Sequence, residues 1–296
     1  MKILQTIKTT AAVLLFAGVG SIANAQKMVS VQEMGIAPPA NVKADGKLTE
    51  WNDTFQAYNK STLVYYSLAN DDKNLYLAIK CSSQLASAKI IAGGINIIVN
   101  PAGKKSDKGA TVITFPIANV GNAYSQLASV KPVGATGGLT VIDSVELKEL
   151  HKTAIADAKE IKVRGVKEIT DSVISVYNDY GIKAGLNYDA KNNLTYELAV
   201  PLKYLNLTDG TPFTYSIKVN GIQLNNQPVA PSLSMGGGGI SALNPENTRV
   251  QTVVFAPTSV VGSSGAGAGR QQASLADDIQ SMSFPTDFWG KYTLAK

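Results

Sequence analysis

The stretch Asn41-Val-Lys-Ala-Asp-Gly-Lys-Leu-Thr-Glu-Trp51 decides the fold of this chain. Its Asp45-Gly46 pair is typical of a tight turn, and we expect Trp51 to be buried and structural, packed under the sheet edge. A second stretch, Asp71-Asp-Lys-Asn-Leu-Tyr-Leu-Ala-Ile-Lys80, joins an acidic turn to alternating apolar and polar residues. That period of two predicts a half-buried strand.

Short β runs of the same kind recur along the chain, separated by turn residues such as Lys191-Asn-Asn193 and ended once by Pro201. They are residues 63–68, 94–100, 110–117, 160–166, 172–178, 182–188, 194–200, 213–223, 249–255 and 284–294. This many short strands predicts an all-β fold with minor α content, an antiparallel jelly-roll-like β-sandwich of two sheets.

One segment breaks the β rhythm. Leu147, Leu150, Ala154 and Ala158 fall at helical spacing, and Ser144 is a suitable cap. We therefore expect one inserted helix over residues 144–160, besides a short helical turn at 202–207.

The first 25 residues have the pattern of a secretory signal peptide. Lys2 and Lys8 precede a short apolar run at 11–19, and Ala23-Asn-Ala25 is a cleavage site of small residues. The apolar run is shorter than the ~20 residues that a membrane span needs, so no transmembrane segment is predicted. We expect the mature chain to be extracytoplasmic, either periplasmic or on the outer surface.

The mature chain divides into two parts. Residues 26–40 form a lead-in segment that Pro38 and Pro39 keep irregular, and residues 41–296 form a single β-sandwich domain. Glycine-rich segments at 226–247 and 257–275 are expected to be mobile loops of that domain.

Charge and cysteine content exclude several classes. Without Lys2 and Lys8 the basic residues number 25 against 22 acidic ones, so the net charge falls from +5 to +3. No dense basic patch is interleaved with aromatic residues, which argues against nucleic acid as a partner. Cys81 is the single cysteine, so no intrachain disulfide forms, and we expect a buried thiol.

Three stretches resemble family-9 carbohydrate-binding modules and their relatives, in the order that the family has them. They are Asp45-Gly-Lys-Leu-Thr-Glu-Trp51, Asp71-Asp-Lys-Asn-Leu-Tyr-Leu77 and Leu194-Thr-Tyr-Glu-Leu-Ala-Val-Pro-Leu202. The resemblance covers residues 41–225 and implies a jelly-roll-like sandwich that binds sugar. The ending Pro285-Thr-Asp-Phe-Trp-Gly-Lys-Tyr292 is also similar to secreted proteins of Bacteroidetes-type bacteria, which favours the same location.

Tyrosines are the candidate ligand-binding residues, because Trp51 is expected to be structural and only Trp289 remains. A pyranose ring packs its apolar face on an aromatic plane, while amides and carboxylates bind its hydroxyl groups. The candidates are Tyr65, Tyr66, Tyr124, Tyr177 and Tyr180, and Tyr177-Asn-Asp-Tyr180 is the densest polar and aromatic cluster.

No cofactor is predicted, but calcium stays open as an alternative. Some proteins of the resembling fold bind calcium, which takes several converging oxygen ligands. Asp71, Asp72 and Asn74 are the candidate donors, and a hydrogen-bonded turn explains the same residues.

Three functions compete. The sequence favours a secreted, non-catalytic binding module for a polysaccharide or other glycan. The alternative is a structural or interaction subunit of a bacterial envelope assembly, with envelope proteins as partners. An enzyme is not expected, because Ser-His-Asp chemistry would depend on the single His151. Glu197 and Asp179 are possible carboxylates for glycoside cleavage, which needs a separation that a sequence does not show.

Overall fold

The strands of this computed structural model follow the predicted runs closely. The structure describes residues 28–118, 131–133, 138–140, 144–208, 210–224, 227–228 and 282–296. In chain order the strands are β1 (Ala57–Asn59), β2 (Val64–Asn70), β3 (Asn74–Cys81), β4 (Ile95–Asn100), β5 (Thr111–Phe115), β6 (Lys131–Val133), β7 (Gly138–Thr140), β8 (Glu160–Arg164), β9 (Val173–Ser175), β10 (Lys183–Tyr188), β11 (Leu194–Pro201), β12 (Phe213–Val219), β13 (Gln223–Leu224), β14 (Gln227–Pro228) and β15 (Thr286–Tyr292).

Two antiparallel sheets contain most of these strands. One has five strands in the order β1-β2-β3-β11-β10, and the other has six in the order β15-β12-β4-β5-β8-β9. The pairs β6-β7 and β13-β14 form separate two-stranded ribbons. The predicted all-β sandwich with minor α content is confirmed.

The core lies between the inner faces of the two sheets. Alternate residues of β3 and β11, such as Leu77 and Leu198, meet Ile97 and Ile217 of the six-stranded sheet in one cluster of buried side chains. Period-two alternation places these side chains on one face, so burial fixes the register of each strand.

Two α-helices accompany the sheets within the described residues, one more than predicted. Helix α2 (Ser144–Asp157) is the expected helix, and the short 3-10 helix at Leu202–Tyr204 follows Pro201 as expected. Helix α1 (Gln84–Gly93) was not predicted. Eight of its ten residues are buried, so its sequence has no polar stripe to reveal a helical period. The Ser83 side chain caps it by accepting a hydrogen bond from the Ala86 amide.

Hydrogen bonds of Gln32 attach the lead-in segment to the sandwich. The Gln32 side chain donates to the Leu68 carbonyl at 2.7 Å and accepts from the Leu68 amide at 2.8 Å, as a neighbouring strand would. The Tyr215 hydroxyl donates to the Gln32 carbonyl at 2.7 Å and lies 2.9 Å from the Tyr66 hydroxyl. This buried network joins the lead-in segment to both sheets.

Several predictions lie outside the described residues: the signal peptide at 1–25, the strand at 249–255, the loop at 257–275 and most of the loop at 226–247. Within the part of the chain that is described, no helix has both the length and the apolar character to cross a membrane.

Candidate functional site

The Asp45-Gly46 turn lies against the outer face of the five-stranded sheet. Gly46 has φ +85°, and a Cβ added to it would lie 2.6 Å from the Leu186 backbone, so only glycine fits there without strain. The Gly46 carbonyl accepts a hydrogen bond from the Thr195 hydroxyl at 2.6 Å. Gly185 on β10 allows the same close approach, because a Cβ there would collide with the Asp45 backbone.

Glu197 on β11 binds this turn by hydrogen bonds from the sheet beneath it. Its carboxylate accepts a hydrogen bond from the Gly46 amide at 2.8 Å and another from the Trp51 indole at 2.8 Å. Glu197 is 2% exposed and Trp51 is 5% exposed. Burial raises the pKa of Glu197 to about 7, against the lowering effect of the two N–H donors.

Trp51 is therefore structural, as predicted, but it packs over the face of the sheet and not under an edge. It belongs to a small outer cluster with Leu48, Phe55 and Ala78. The Asp45–Trp51 stretch and Glu197 of the Leu194–Leu202 stretch are thus two halves of one hydrogen-bonded structure, which fixes the chain just before β1.

Three aromatic rings and an ion pair lie beside this cluster, and we call Asp53, Phe55, Tyr58, Tyr65 and Lys80 the aromatic surface. Tyr58 and Tyr65 are cross-strand partners with ring centroids 4.5 Å apart, and the Phe55 ring lies 6.0 Å from Tyr65. Both tyrosines are half-buried.

Lys80 provides the cation of the aromatic surface. It is the cross-strand partner of Tyr65 on β3, and its Nζ lies 5.2 Å from the Phe55 centroid and 5.8 Å from the Tyr65 centroid. The ammonium pairs with the Asp53 carboxylate, which is 64% exposed. Phe55 is 8% exposed and the Lys80 side chain 14%, so the parts of the aromatic surface open to solvent are the two half-buried tyrosines and the Asp53 carboxylate.

The structure separates the predicted tyrosines. Tyr65 belongs to the aromatic surface, but its neighbour Tyr66 points inward, is fully buried and belongs to the Gln32 network. Tyr177 is 79% exposed and Tyr180 is half-buried, both in the connection from β9 to β10. Three strand spacings of ~4.8 Å separate β2 from β10, about 14 Å in all, so the four rings do not share one site. Tyr124 lies outside the described residues.

Sequence reasoning missed four members of the aromatic surface: Asp53, Phe55, Tyr58 and Lys80. β1 has only three residues, too few to show alternation. Lys80 alternates correctly within β3, but its position beside Tyr65 depends on the strand register.

Asp71 forms a hydrogen-bonded turn. Its Oδ1 accepts from the amides of Lys73 at 2.8 Å and Asn74 at 2.6 Å, and its Oδ2 accepts from the Tyr76 hydroxyl at 2.9 Å. These bonds occupy the carboxylate that would have to bind calcium together with Asp72. Across the described ranges, no three His, Cys, Asp or Glu side chains are grouped as a metal site.

A second surface feature lies between helix α2 and the end of β10, and we call it the α2 groove. It encloses about 300 Å³, with Lys148, His151 and Lys152 on the helix side and Asn187, Tyr188 and Asn192 on the sheet side. The His151 and Tyr188 rings stack face to face, with centroids 3.4 Å apart and planes 4° apart.

The residues considered for enzyme chemistry are not brought together. Glu197 is enclosed beneath Trp51 with both oxygens accepting hydrogen bonds, and Asp179 is exposed in the β9 to β10 connection. Cys81 is fully buried, and burial raises the pKa of its thiol.

Comparison of the chain with protein-family models, with curated proteins and with solved structures found no match.

Proposed function

We propose that this chain is an exported, non-catalytic binding module that takes carbohydrate on the aromatic surface. The observation that carries the proposal is the row formed by Tyr58, Tyr65 and Lys80 on three neighbouring strands, with Phe55 and Asp53 beside it. Tyrosine combines an apolar ring with a polar tip, which suits a ligand that has an apolar face and hydroxyl edges.

The placement of the aromatic surface supports a binding role. The rings lie on the outer face of a sheet whose inner face packs on the sandwich core. The Trp51 cluster packs beside the rings on the outer face. Binding groups fixed on a rigid sheet lose little conformational entropy when a ligand binds. The pattern of a signal peptide supports exposure of this module to glycans outside the cytoplasm.

Affinity electrophoresis through gels that contain soluble polysaccharides tests the proposal on the chain starting at Gln26. At least one polysaccharide should retard the protein. Tyr65→Ala and Tyr58→Ala should each weaken that retardation about tenfold, since aromatic contacts contribute about 0.5–1.5 kcal/mol beyond area burial. Tyr177→Ala, which removes an exposed tyrosine elsewhere, is the matched control.

Circular dichroism of each variant separates lost binding from lost structure. The proposal fails if no polysaccharide retards the folded protein, or if Tyr177→Ala abolishes retardation while both variants of the aromatic surface retain it.

The second candidate function, an interaction subunit of an envelope assembly, is favoured by a different observation. Val173 on the edge strand β9 is 40% exposed, and Tyr177 two residues beyond that strand is 79% exposed. Within the described residues β9 pairs on one side only, and exposed apolar groups beside such a strand edge suit a protein partner. Cross-linking in envelope fractions tests it, and Tyr177→Asp should abolish any cross-linked product.

A further inference from the structure

The α2 groove has a floor that carries no net charge at neutral pH. His151 lies flat against Tyr188, and Ile155 extends the same helix face by one turn. Burial lowers the pKa of His151 to about 4, so the imidazole is neutral at pH 7. The floor can therefore contact the apolar part of a ligand without presenting a charge to it.

The rim of the groove presents hydrogen-bond donors that have no acceptor among the described residues. The Asn187 side chain uses its oxygen to accept from the Tyr188 amide at 2.8 Å, which leaves its NH2 group unpaired in the described part of the chain. In that same part, no hydrogen bond engages the side chains of Asn192 and Lys148. Lys152 contacts Glu149 only through an exposed pair at 3.6 Å.

The one carboxylate that lines the groove, that of Asp189, already accepts hydrogen bonds from the protein. Asp189 accepts hydrogen bonds from the Lys191 amide at 2.8 Å, the Asn193 amide at 2.9 Å and the Asn193 side chain at 2.7 Å. Burial raises the pKa of Asp189, but these hydrogen bonds lower it by more. The pKa of Asp189 therefore lies below its ordinary value. Glu149 pairs with Lys152, so Lys148 is the cation of the rim that has no carboxylate partner among the described residues, and the rim keeps a surplus of N–H donors.

We propose that the α2 groove binds a carboxylate-bearing sugar of the uronic acid class, with Lys148 and the Asn187 and Asn192 amides on the carboxylate and hydroxyl groups. A carboxylate supplies the acceptors that the rim lacks, and charged hydrogen bonds of this kind are among the stronger ones. The volume of about 300 Å³ is at the lower end of the range for small-molecule sites, which fits one sugar ring. The groove shares no lining residue with the aromatic surface, although Lys80 of that surface lies near enough to help lower the pKa of Asp189.

His151 makes the test direct, because it is the only histidine in the chain and its imidazole protons give unique NMR signals. D-galacturonate titrated into the chain from Gln26 at pH 7 should shift those signals to saturation. D-galactose, which has the same ring without the carboxylate, should not shift them over the same concentrations.

Variants assign the effect to the groove. Lys148→Gln should weaken the galacturonate effect about tenfold, as expected for one lost charged hydrogen bond. Lys167→Gln, which removes an exposed lysine outside the groove, should leave it unchanged. Tyr65→Ala should also leave it unchanged, so that failure of the aromatic surface and failure of the groove are distinguishable.

Three results would overturn the proposal. They are an absence of any shift with galacturonate, an equal shift with galactose, and an undiminished shift in Lys148→Gln. Sodium acetate that saturates the His151 shift with the affinity of galacturonate would overturn the assignment to a sugar. Loss of the effect in folded Tyr65→Ala would place the ligand on the aromatic surface instead.

Discussion

Glu197 makes stability depend on pH in a direction opposite to that of most carboxylates. Burial raises its pKa from 4.5 to about 7. The folded protein therefore binds more protons than the unfolded chain between these two values, and this group lowers the free energy of unfolding as the pH rises through that window. At about 1.4 kcal/mol per pKa unit, the loss amounts to about 3 kcal/mol.

Glu197→Gln isolates this contribution, because the amide does not titrate. The free energy of unfolding of the wild type, relative to that of the variant, should fall by about 3 kcal/mol between pH 4.5 and pH 8. Urea unfolding followed by circular dichroism measures it. Glu160→Gln, which removes an exposed carboxylate on β8, is the matched control. A Glu197→Gln difference constant to within about 0.5 kcal/mol over this range refutes the reasoning.

Trp51→Phe tests how much the hydrogen bond from the Trp51 indole to the Glu197 carboxylate contributes to stability. It removes the indole N–H that Glu197 accepts at 2.8 Å, and the cost should be about 1–3 kcal/mol in wild type and smaller when Glu197 is already Leu, which offers no acceptor. Equal costs in the two backgrounds would show that the hydrogen bond does not couple these residues.

Three other regions give predictions for stability and reactivity. Gly46→Ala should cost about 2 kcal/mol or more in urea unfolding, because it adds a backbone collision to an unfavourable φ. Gly103→Ala has a similar φ of +70° with open space around it, so it should cost only about 1 kcal/mol. Tyr215→Phe should cost about 1–3 kcal/mol by leaving the Gln32 carbonyl without its buried donor, whereas Tyr177→Phe should cost nothing measurable in thermal melts. Cys81 should resist a thiol reagent until urea unfolds the chain, and rapid native labelling would contradict its burial.

The sandwich could be predicted because burial on one face leaves a period of two in the sequence. Leu75, Leu77 and Ile79 of β3 show that period, and Pro201 ends β11 where a missing amide is tolerated. Helix α1 could not be predicted from a period in the sequence. It is enclosed on nearly every side, so polar and apolar positions do not alternate along it.

The candidate site was only partly predictable, since register decides which side chains meet. Tyr65 and Tyr66 are adjacent in sequence, yet one faces solvent and the other the core, because successive strand residues point to opposite faces. The partnership of Trp51 with Glu197 spans 146 residues of sequence, and only the folded topology shows it.

Carbohydrate binding by the aromatic surface is the central claim, and intermolecular NMR contacts test it most directly. Protein with ring-labelled tyrosine would be mixed with an oligosaccharide of a polysaccharide that retards it in gels. We predict nuclear Overhauser effects between sugar ring protons and both Tyr58 and Tyr65. Contacts confined to Tyr177 or Tyr180, or no contact with any tyrosine while the sugar is bound, would contradict the account.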